Sequence, residues 1–190
     1  MKIGVINTIS GDNLVEKINI DLGCGNFCKK GFTGLDYVKC CGDVKYVVDL
    51  NKEKLPFRNN SVDSFYSSNV LEHLEDPEKT IREAYRFLKV GGKFEIAVPY
   101  FSHPNAVGPG HRNYWNFSSL TIFDDSFSNV ADMKWKLISL SWDTKVTNLV
   151  MCLIYIPIEL IIQKKRLFYE TYLSRIFPIG EIRFIVEKRE

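Results

Sequence analysis

A chain of 190 residues is long enough for one hydrophobic core and short for two. Its 45% hydrophobic and 25% charged residues are ordinary for a soluble globular domain. A formal net charge of +2 gives no long-range basic field, so the composition carries no nucleic-acid signal.

The chain begins with M-K-I-G-V-I-N-T-I-S-G-D, which has one lysine and only a short, interrupted apolar patch. A secretion signal needs a longer apolar core and a small-residue cleavage site, so a cytoplasmic location is expected. Lys2–Ile9 reads as a short leading strand and Ser10–Asn13 as a turn. The first firm strand is Lys17–Leu22, running into Asp21-Leu-Gly-Cys-Gly25. Thr33–Asp36 and Lys45–Leu50 follow as short apolar runs carrying Asp36 and Asp49 near their ends. Only Asn26–Phe32 separate the glycines from the second run, too few for a full crossover helix, so an irregular loop is expected there. Val62–Ser67 and Lys93–Pro99 are further strands. Runs apolar on both faces imply burial between helical layers.

Asp76-Pro77 opens a helix: the aspartate caps, the proline suits the first helical position, and Ile81, Ala84, Tyr85 and Leu88 recur at helical spacing. Gly91-Gly92 is its expected end. Ser118–Phe127 reads as a short helix, Lys134–Ser141 as a strand and Glu181–Lys188 as the last strand. The order strand–helix–strand favours an α/β fold.

The five cysteines include Cys24, Cys28, Cys40 and Cys41, but no C-x2-C knuckle. Adjacent thiols such as Cys40 and Cys41 converge poorly on one tetrahedral ion, so reduced thiols are the better reading. The three histidines, His73, His103 and His111, match no local chelating motif, and no metal is assigned.

Two close glycines after a strand, with an acid at the end of the next, suit a crevice that holds a nucleoside-like cofactor. Gly23 and Gly25 allow close approach and leave N–H groups free for a carboxylate, Asp21 can accept from an ammonium group, and Asp36 can accept from a ribose diol. A nicotinamide fingerprint would need a third glycine where Cys28 stands, followed by a helix.

The same residues resemble a known family. D-L-G-C-G at Asp21–Gly25, V-V-D-L at Val47–Leu50, L-P-F at Leu55–Phe57, S-N-V-L-E-H-L at Ser68–Leu74 and L-K-V-G-G-K-F at Leu88–Phe94 stand in order and at matching distances. They resemble the motifs of S-adenosylmethionine-dependent methyltransferases of the Rossmann-like kind. The resemblance implies an α/β fold: a mostly parallel seven-strand sheet with an antiparallel terminal strand, its first crossover helix here short or missing. It also implies S-adenosyl-L-methionine as cofactor, held by Asp21, Gly23, Cys24, Gly25, Asp36, Asp49, Leu50 and Asn69. Asp49 would stand near the adenine amine and Leu50 against the ring. A protein that binds this cofactor without transferring methyl is the main alternative, and a nicotinamide-linked oxidoreductase the lesser one.

The acceptor side is less legible. Glu72 lies beside the expected methyl-donor site, and His73 beside it is assigned to packing around the cofactor loop. His103 and His111, in the aperiodic stretch Tyr100–Arg112, are candidate general bases, because imidazole titrates near neutrality. Arg112 can hold an acidic group or tie down its loop; Tyr114, Trp115 and Phe117 make an aromatic wall that favours core docking. A small-molecule acceptor is expected, since a chain this short leaves little room for a recognition domain. The whole of 1–190 reads as one domain, with 142–180 a hydrophobic helical insertion or lid. Leu149–Ile162 is apolar over only fourteen residues and contains Pro157 and Glu159, too little for a membrane span. Three readings of that region stay open: a lid, a homodimer contact through 146–173, and contact with a membrane surface through its basic edge, Lys164–Arg166.

Overall fold

The computed structural model describes residues 17–40, 42–123, 133–143 and 149–190. Seven strands form one sheet in the order β3-β2-β1-β4-β5-β7-β6. They are β1 (Asn19–Leu22), β2 (Thr33–Asp36), β3 (Val44–Val47), β4 (Val62–Ser68), β5 (Leu88–Pro99), β6 (Trp135–Asp143) and β7 (Glu181–Lys188). The first five are parallel, and β7 enters antiparallel between β5 and β6. The expected seven-strand sheet with an antiparallel last strand is therefore present. The leading strand at Lys2–Ile9, the turn at Ser10–Asn13 and the end of the helix expected over Ser118–Phe127 lie outside the described residues; Ser118–Phe123 is a 3-10 turn.

Strand alternation sorts the side chains onto two faces. On one, Ile20, Phe65, Phe94 and Val186 stand side by side across β1, β4, β5 and β7, each almost fully buried. Helix α1 (Pro77–Phe87) covers this face. Phe57 bridges it to the sheet, meeting Phe87 and Phe65 edge-to-face with ring centroids 6.0 Å apart. Each such buried side chain contributes about 1.5–3 kcal/mol relative to exposure, so this row anchors the layer. The opposite face is different. Asn19, Ser64, Lys93 and Glu187 form one row, Asp21, Tyr66, Glu95 and Ile185 the next, and all but Asp21 are half-buried or exposed. The expectation of strands apolar on both faces is corrected for these rows, where β4, β5 and β7 alternate apolar with polar; at the carboxyl end of β5 the successive residues Ile96, Ala97 and Val98 are buried on both faces. Lys29 crosses the polar face, pairing with Glu95 and lying 3.8 Å from the Tyr66 ring centroid.

The β1–β2 connection contains no helix, as its length requires. Helix α1 begins as expected, with Asp76 Oδ1 accepting from the Lys79 N–H at 2.9 Å and Pro77 in its first turn. It ends earlier than Gly91-Gly92. The chain passes straight from Phe87 into β5, because Leu88 is itself buried and pairs with Val62. The ladder then jumps to Ser64–Lys93, so 89–92 bulge outward, and Gly91 turns at φ +79°.

Helix α2 (Leu149–Lys164) contains Pro157 and buries Tyr155, Ile158 and Ile162. No helix among the described residues is long and apolar enough to cross a membrane.

Candidate active site

The carboxyl ends of β1, β2 and β4 converge on a cleft of about 630 Å³. Gly23 ends β1 at φ +67°, and its N–H donates to the Leu35 carbonyl at 2.7 Å. A Cβ on it would stand 2.4 Å from Val70 Cγ2, so the turn after β1 packs directly on the segment after β4. That fit admits only glycine. The Asp36 carboxylate at the end of β2 is gripped by its neighbours: Gly25 N–H donates to Oδ2 at 2.9 Å and Val38 N–H to Oδ1 at 3.3 Å. The residue lines the cleft. Val48, Leu50 and Leu74 supply apolar walls, with Asp49 and the exposed Tyr37 at the rim. Asp49 accepts from Asn51 N–H at 3.0 Å and pairs with Lys52 at 3.0 Å; this ammonium contact holds its carboxyl below the ordinary value.

A second cleft of about 380 Å³ adjoins the first, and Asn69 and His73 line both. Asn69 turns the chain out of β4 at φ +54°, a left-handed conformation that asparagine tolerates better than most residues. Glu72, His111, Asn105, Pro99, Asp143, Gly180 and Glu181 complete the second cleft. The Glu72 side chain is 1% exposed, and neither carboxylate oxygen meets a hydrogen-bond partner among the described residues. Burial pushes its carboxyl up to about 7. His73 and His111 meet edge-to-face with ring centroids 4.5 Å apart. His73 Nδ1 lies 3.2 Å from the Gly110 carbonyl and His111 Nδ1 3.1 Å from that of Ala106. A carbonyl can only accept, so each Nδ1 carries a proton, and in the neutral form of either ring the lone pair is on Nε2. The two loops are stitched by backbone: Arg112 and Asn113 N–H both donate to the Glu72 carbonyl, at 2.7 and 3.1 Å. The Asn113 amide adds bonds to the carbonyls of Leu74 (2.6 Å) and Leu71 (3.4 Å).

This arrangement matches known proteins in sequence and in fold. The profile of a family described as a methyltransferase domain matches residues 35–96. That stretch runs from β2 through β5 and carries most of the first cleft. The matched segment is similar to methyltransferase domains, and the fold is the Rossmann-like one of those enzymes. Among curated relatives, a 2-methyl-6-phytyl-1,4-hydroquinone methyltransferase of Arabidopsis thaliana is 35% identical over 69 residues, covering 36% of this chain and 18% of the relative. A ubiquinone/menaquinone biosynthesis C-methyltransferase of Citrobacter koseri is 40% identical over 106 residues, covering 55% of this chain and 41% of the relative. The matches thus span less than half the length of these relatives. Among solved structures, an S-adenosylmethionine-dependent methyltransferase from Archaeoglobus fulgidus superposes with TM-score 0.58 at 18% identity, over 91% of this chain and 86% of that one. One from Mesorhizobium loti gives 0.56 at 17%, over 90% of each chain.

Within this methyltransferase fold the expected residues divide. Gly23, Asp36, Asp49, Leu50 and Asn69 line the first cleft, whereas Asp21, Cys24 and Gly25 do not. Asp21 alternates with the core residues Ile20 and Leu22 and so faces the polar side of the sheet, where Oδ2 accepts from Lys29 N–H at 2.7 Å. Its burial raises its pKa. Of the loop's N–H groups, those of Gly23, Cys24, Gly25, Phe27 and Lys29 donate within the protein. On the acceptor side, Glu72 and His111 meet across the second cleft. His103 does not join them; its Nδ1 accepts from Asn105 N–H at 3.2 Å and caps the turn Pro104–Val107. Arg112 ties its loop to Glu75 at 3.4 Å, and Trp115 and Phe117 are buried while Tyr114 is exposed. The reach of His73 into both clefts was missed, as was Asn113. Asn113 stands only two residues beyond His111, but nothing in its spacing points to the carbonyls of Leu71 and Leu74. Cys24 is buried, Cys28 half-buried and Cys40 exposed, while Cys41 and the Cys152 side chain lie outside the described residues.

Proposed function

We propose that the chain transfers a methyl group from S-adenosyl-L-methionine to a small-molecule acceptor. The observation that supports this most is the junction of two clefts at Asn69 and His73, one with a nucleoside's chemistry and one large enough for a small acceptor. The first fits the cofactor: Asp36 offers carboxylate oxygens for a ribose diol at the end of β2, and Val48, Leu50 and Leu74 form an apolar slot for a flat base. Asp49 at the rim can accept from an exocyclic amine. Bound S-adenosylmethionine supplies a methyl group already activated by its positive sulfur, so the absence of a nucleophilic triad counts nothing against transfer.

The protein's own tasks are alignment, exclusion of water and management of the acceptor's proton. Asn69 and His73 border the point where donor and acceptor would meet. The free Nε2 lone pair of His111 or His73 can take a proton from an acceptor hydroxyl or amine, and Glu72, with its carboxyl near neutrality, can relay it. The open second cleft favours transfer over mere binding of the cofactor. The relatives are named for hydroquinone and quinone-biosynthesis substrates, but the family match at 35–96 omits His111, Asp143 and Glu181 of the acceptor cleft. The acceptor is therefore left at the level of a small molecule.

Calorimetric titration with S-adenosylmethionine, S-adenosylhomocysteine and NAD tests the cofactor. Incubation with cell extract, followed by mass spectrometry for products heavier by one CH2, tests transfer. Binding of both adenosyl compounds and not of NAD is expected; retention of NAD alone would overturn the reading.

A further inference from the structure

We propose that Glu72, His73 and His111 form a binding site for one divalent transition-metal ion at the junction of the two clefts. The sequence spacing discouraged any metal, because the three histidines are thirty and eight residues apart. The fold supplies what spacing could not: one ligand atom from each of the three residues comes within 4.8 Å of the other two. Ligands about 2.0–2.2 Å from a tetrahedral ion stand about 3.4 Å apart, so modest side-chain rotation closes the site.

Three observations point to a cation there. First, both imidazoles place Nδ1 on a backbone carbonyl, a contact that in the neutral ring leaves the lone pair on Nε2, the outer hydrogen-bond pattern that metal-ligating histidines use. Second, Glu72 is buried with both oxygens unpartnered, and no lysine or arginine is among the described residues lining its cleft. A buried carboxylate without hydrogen bonds is costly unless it is protonated or faces a cation. Third, the two loops that carry the ligands are bound together through the Glu72 carbonyl and the Asn113 amide, so the constellation is held before any ion arrives.

The donor set selects the metal. Two imidazoles and one carboxylate suit zinc, cobalt, manganese or iron rather than magnesium or calcium, which prefer all-oxygen shells. Three protein ligands leave positions open toward the second cleft, where an acceptor oxygen could complete the shell; with the ion bound the histidines and Glu72 are ligands, so their base and relay roles belong to the metal-free chain. This last step rests on the methyl-transfer reading; the ion site does not.

The test uses the full chain without a polyhistidine tag, stripped with a chelator and titrated with Co²⁺, followed by visible absorption and calorimetry. One Co²⁺ per chain is expected. Glu72→Gln and His111→Asn should each weaken uptake about tenfold or more. His103→Asn, the remaining histidine, should bind as the parent does. If His111→Asn proves unfolded by circular dichroism, His73→Asn, whose ring is exposed, replaces it with the same expected loss. No Co²⁺ uptake by the parent, or unchanged uptake in Glu72→Gln and His73→Asn, would overturn the site. A loss in His103→Asn alone would do so too, by placing the ion on the surface. S-adenosylmethionine binding measured on the same samples separates the two readings. Cofactor binding without Co²⁺ removes only the ion site, and Co²⁺ binding without the cofactor removes only the transfer reading.

Discussion

Alanine at position 23 tests how the cofactor cleft is assembled. The new methyl group would lie 2.4 Å from Val70 Cγ2 and 2.9 Å from Cγ1, while the backbone must hold φ +67°. The left-handed conformation costs an L-residue about 1–2 kcal/mol, and forcing a methyl into filled space about 1–3 kcal/mol. Gly23→Ala should therefore destabilise the domain by about 2–5 kcal/mol, a large share of the roughly 5–15 kcal/mol that holds a domain together. Valine is stiff at χ1, so Val70 cannot simply swing aside. The two terms separate in a double-mutant cycle. Val70→Ala alone loses about 1–2 kcal/mol of burial. In the double variant the two Cγ clashes are gone, only a 3.3 Å contact with the position-70 Cβ remains, and the backbone term stays. The double variant should then be about 1–3 kcal/mol more stable than the sum of the singles. Urea midpoints of the four proteins at a common m-value read this directly. Additivity within about 0.5 kcal/mol would refute the contact, and with it the claim that the turn after β1 and the segment after β4 share one wall.

Asp36→Asn keeps one acceptor for Gly25 but turns an NH2 group toward the Val38 N–H or the ribose; S-adenosylhomocysteine affinity should fall about tenfold to a hundredfold by calorimetry, and an unchanged Kd would remove Asp36 from the site. For Glu72 the folded pKa of about 7 lies above the ordinary 4.5. The native state therefore holds the proton longer, and metal-free stability is greatest below about pH 4.5, falls as pH rises to about 7, and is flat beyond, a span of about 3 kcal/mol. Glu72→Gln lacks that loss, so its urea stability relative to the parent should rise between about pH 5 and pH 8; a constant difference would show that the carboxyl is not perturbed. The N–H groups of Gly23, Cys24, Gly25, Phe27 and Lys29 donate internally, so these five should give the cofactor's amino-acid tail little: methylthioadenosine should bind within about tenfold of S-adenosylhomocysteine, and a much wider gap would reveal tail contacts to other groups.

The fold was legible wherever local chemistry and tertiary burial agree. Asp76-Pro77 starts α1 because capping and the first-turn proline are decided within four residues. Glu181–Lys188 reads as a strand because its alternation matches a sheet with one wet face. The end of α1 was misplaced for the opposite reason. Gly91-Gly92 is a strong local stop, yet Leu88 leaves the helix three residues earlier to pair with Val62, and the glycines serve the bulge that restores register at Lys93. No window along the sequence contains that competition. The polar face of the sheet was hidden in the same way: Tyr66, Glu95 and Ile185 stand side by side only once β4, β5 and β7 are in register.

The two halves of the site differ in legibility because they are built differently. On the cofactor side, Gly23, Asp36, Asp49 and Asn69 each stand at or just beyond the end of a strand, so sequence order along a parallel sheet already predicts their convergence at one edge. Even there the alternation rule could have spoken against Asp21, since a residue between Ile20 and Leu22 must face away from the core they fill. On the acceptor side no such rule operates. Glu72 and His73 follow β4, while His111 stands twelve residues beyond the end of β5, and the contacts of Ala106, Gly108, Gly110, Arg112 and Asn113 hold its ring against His73. His103 stands equally near β5 in sequence and spends its lone pair on a turn. Which histidine faces the acceptor is thus a property of how two loops bond to each other, and it becomes readable only when both are folded.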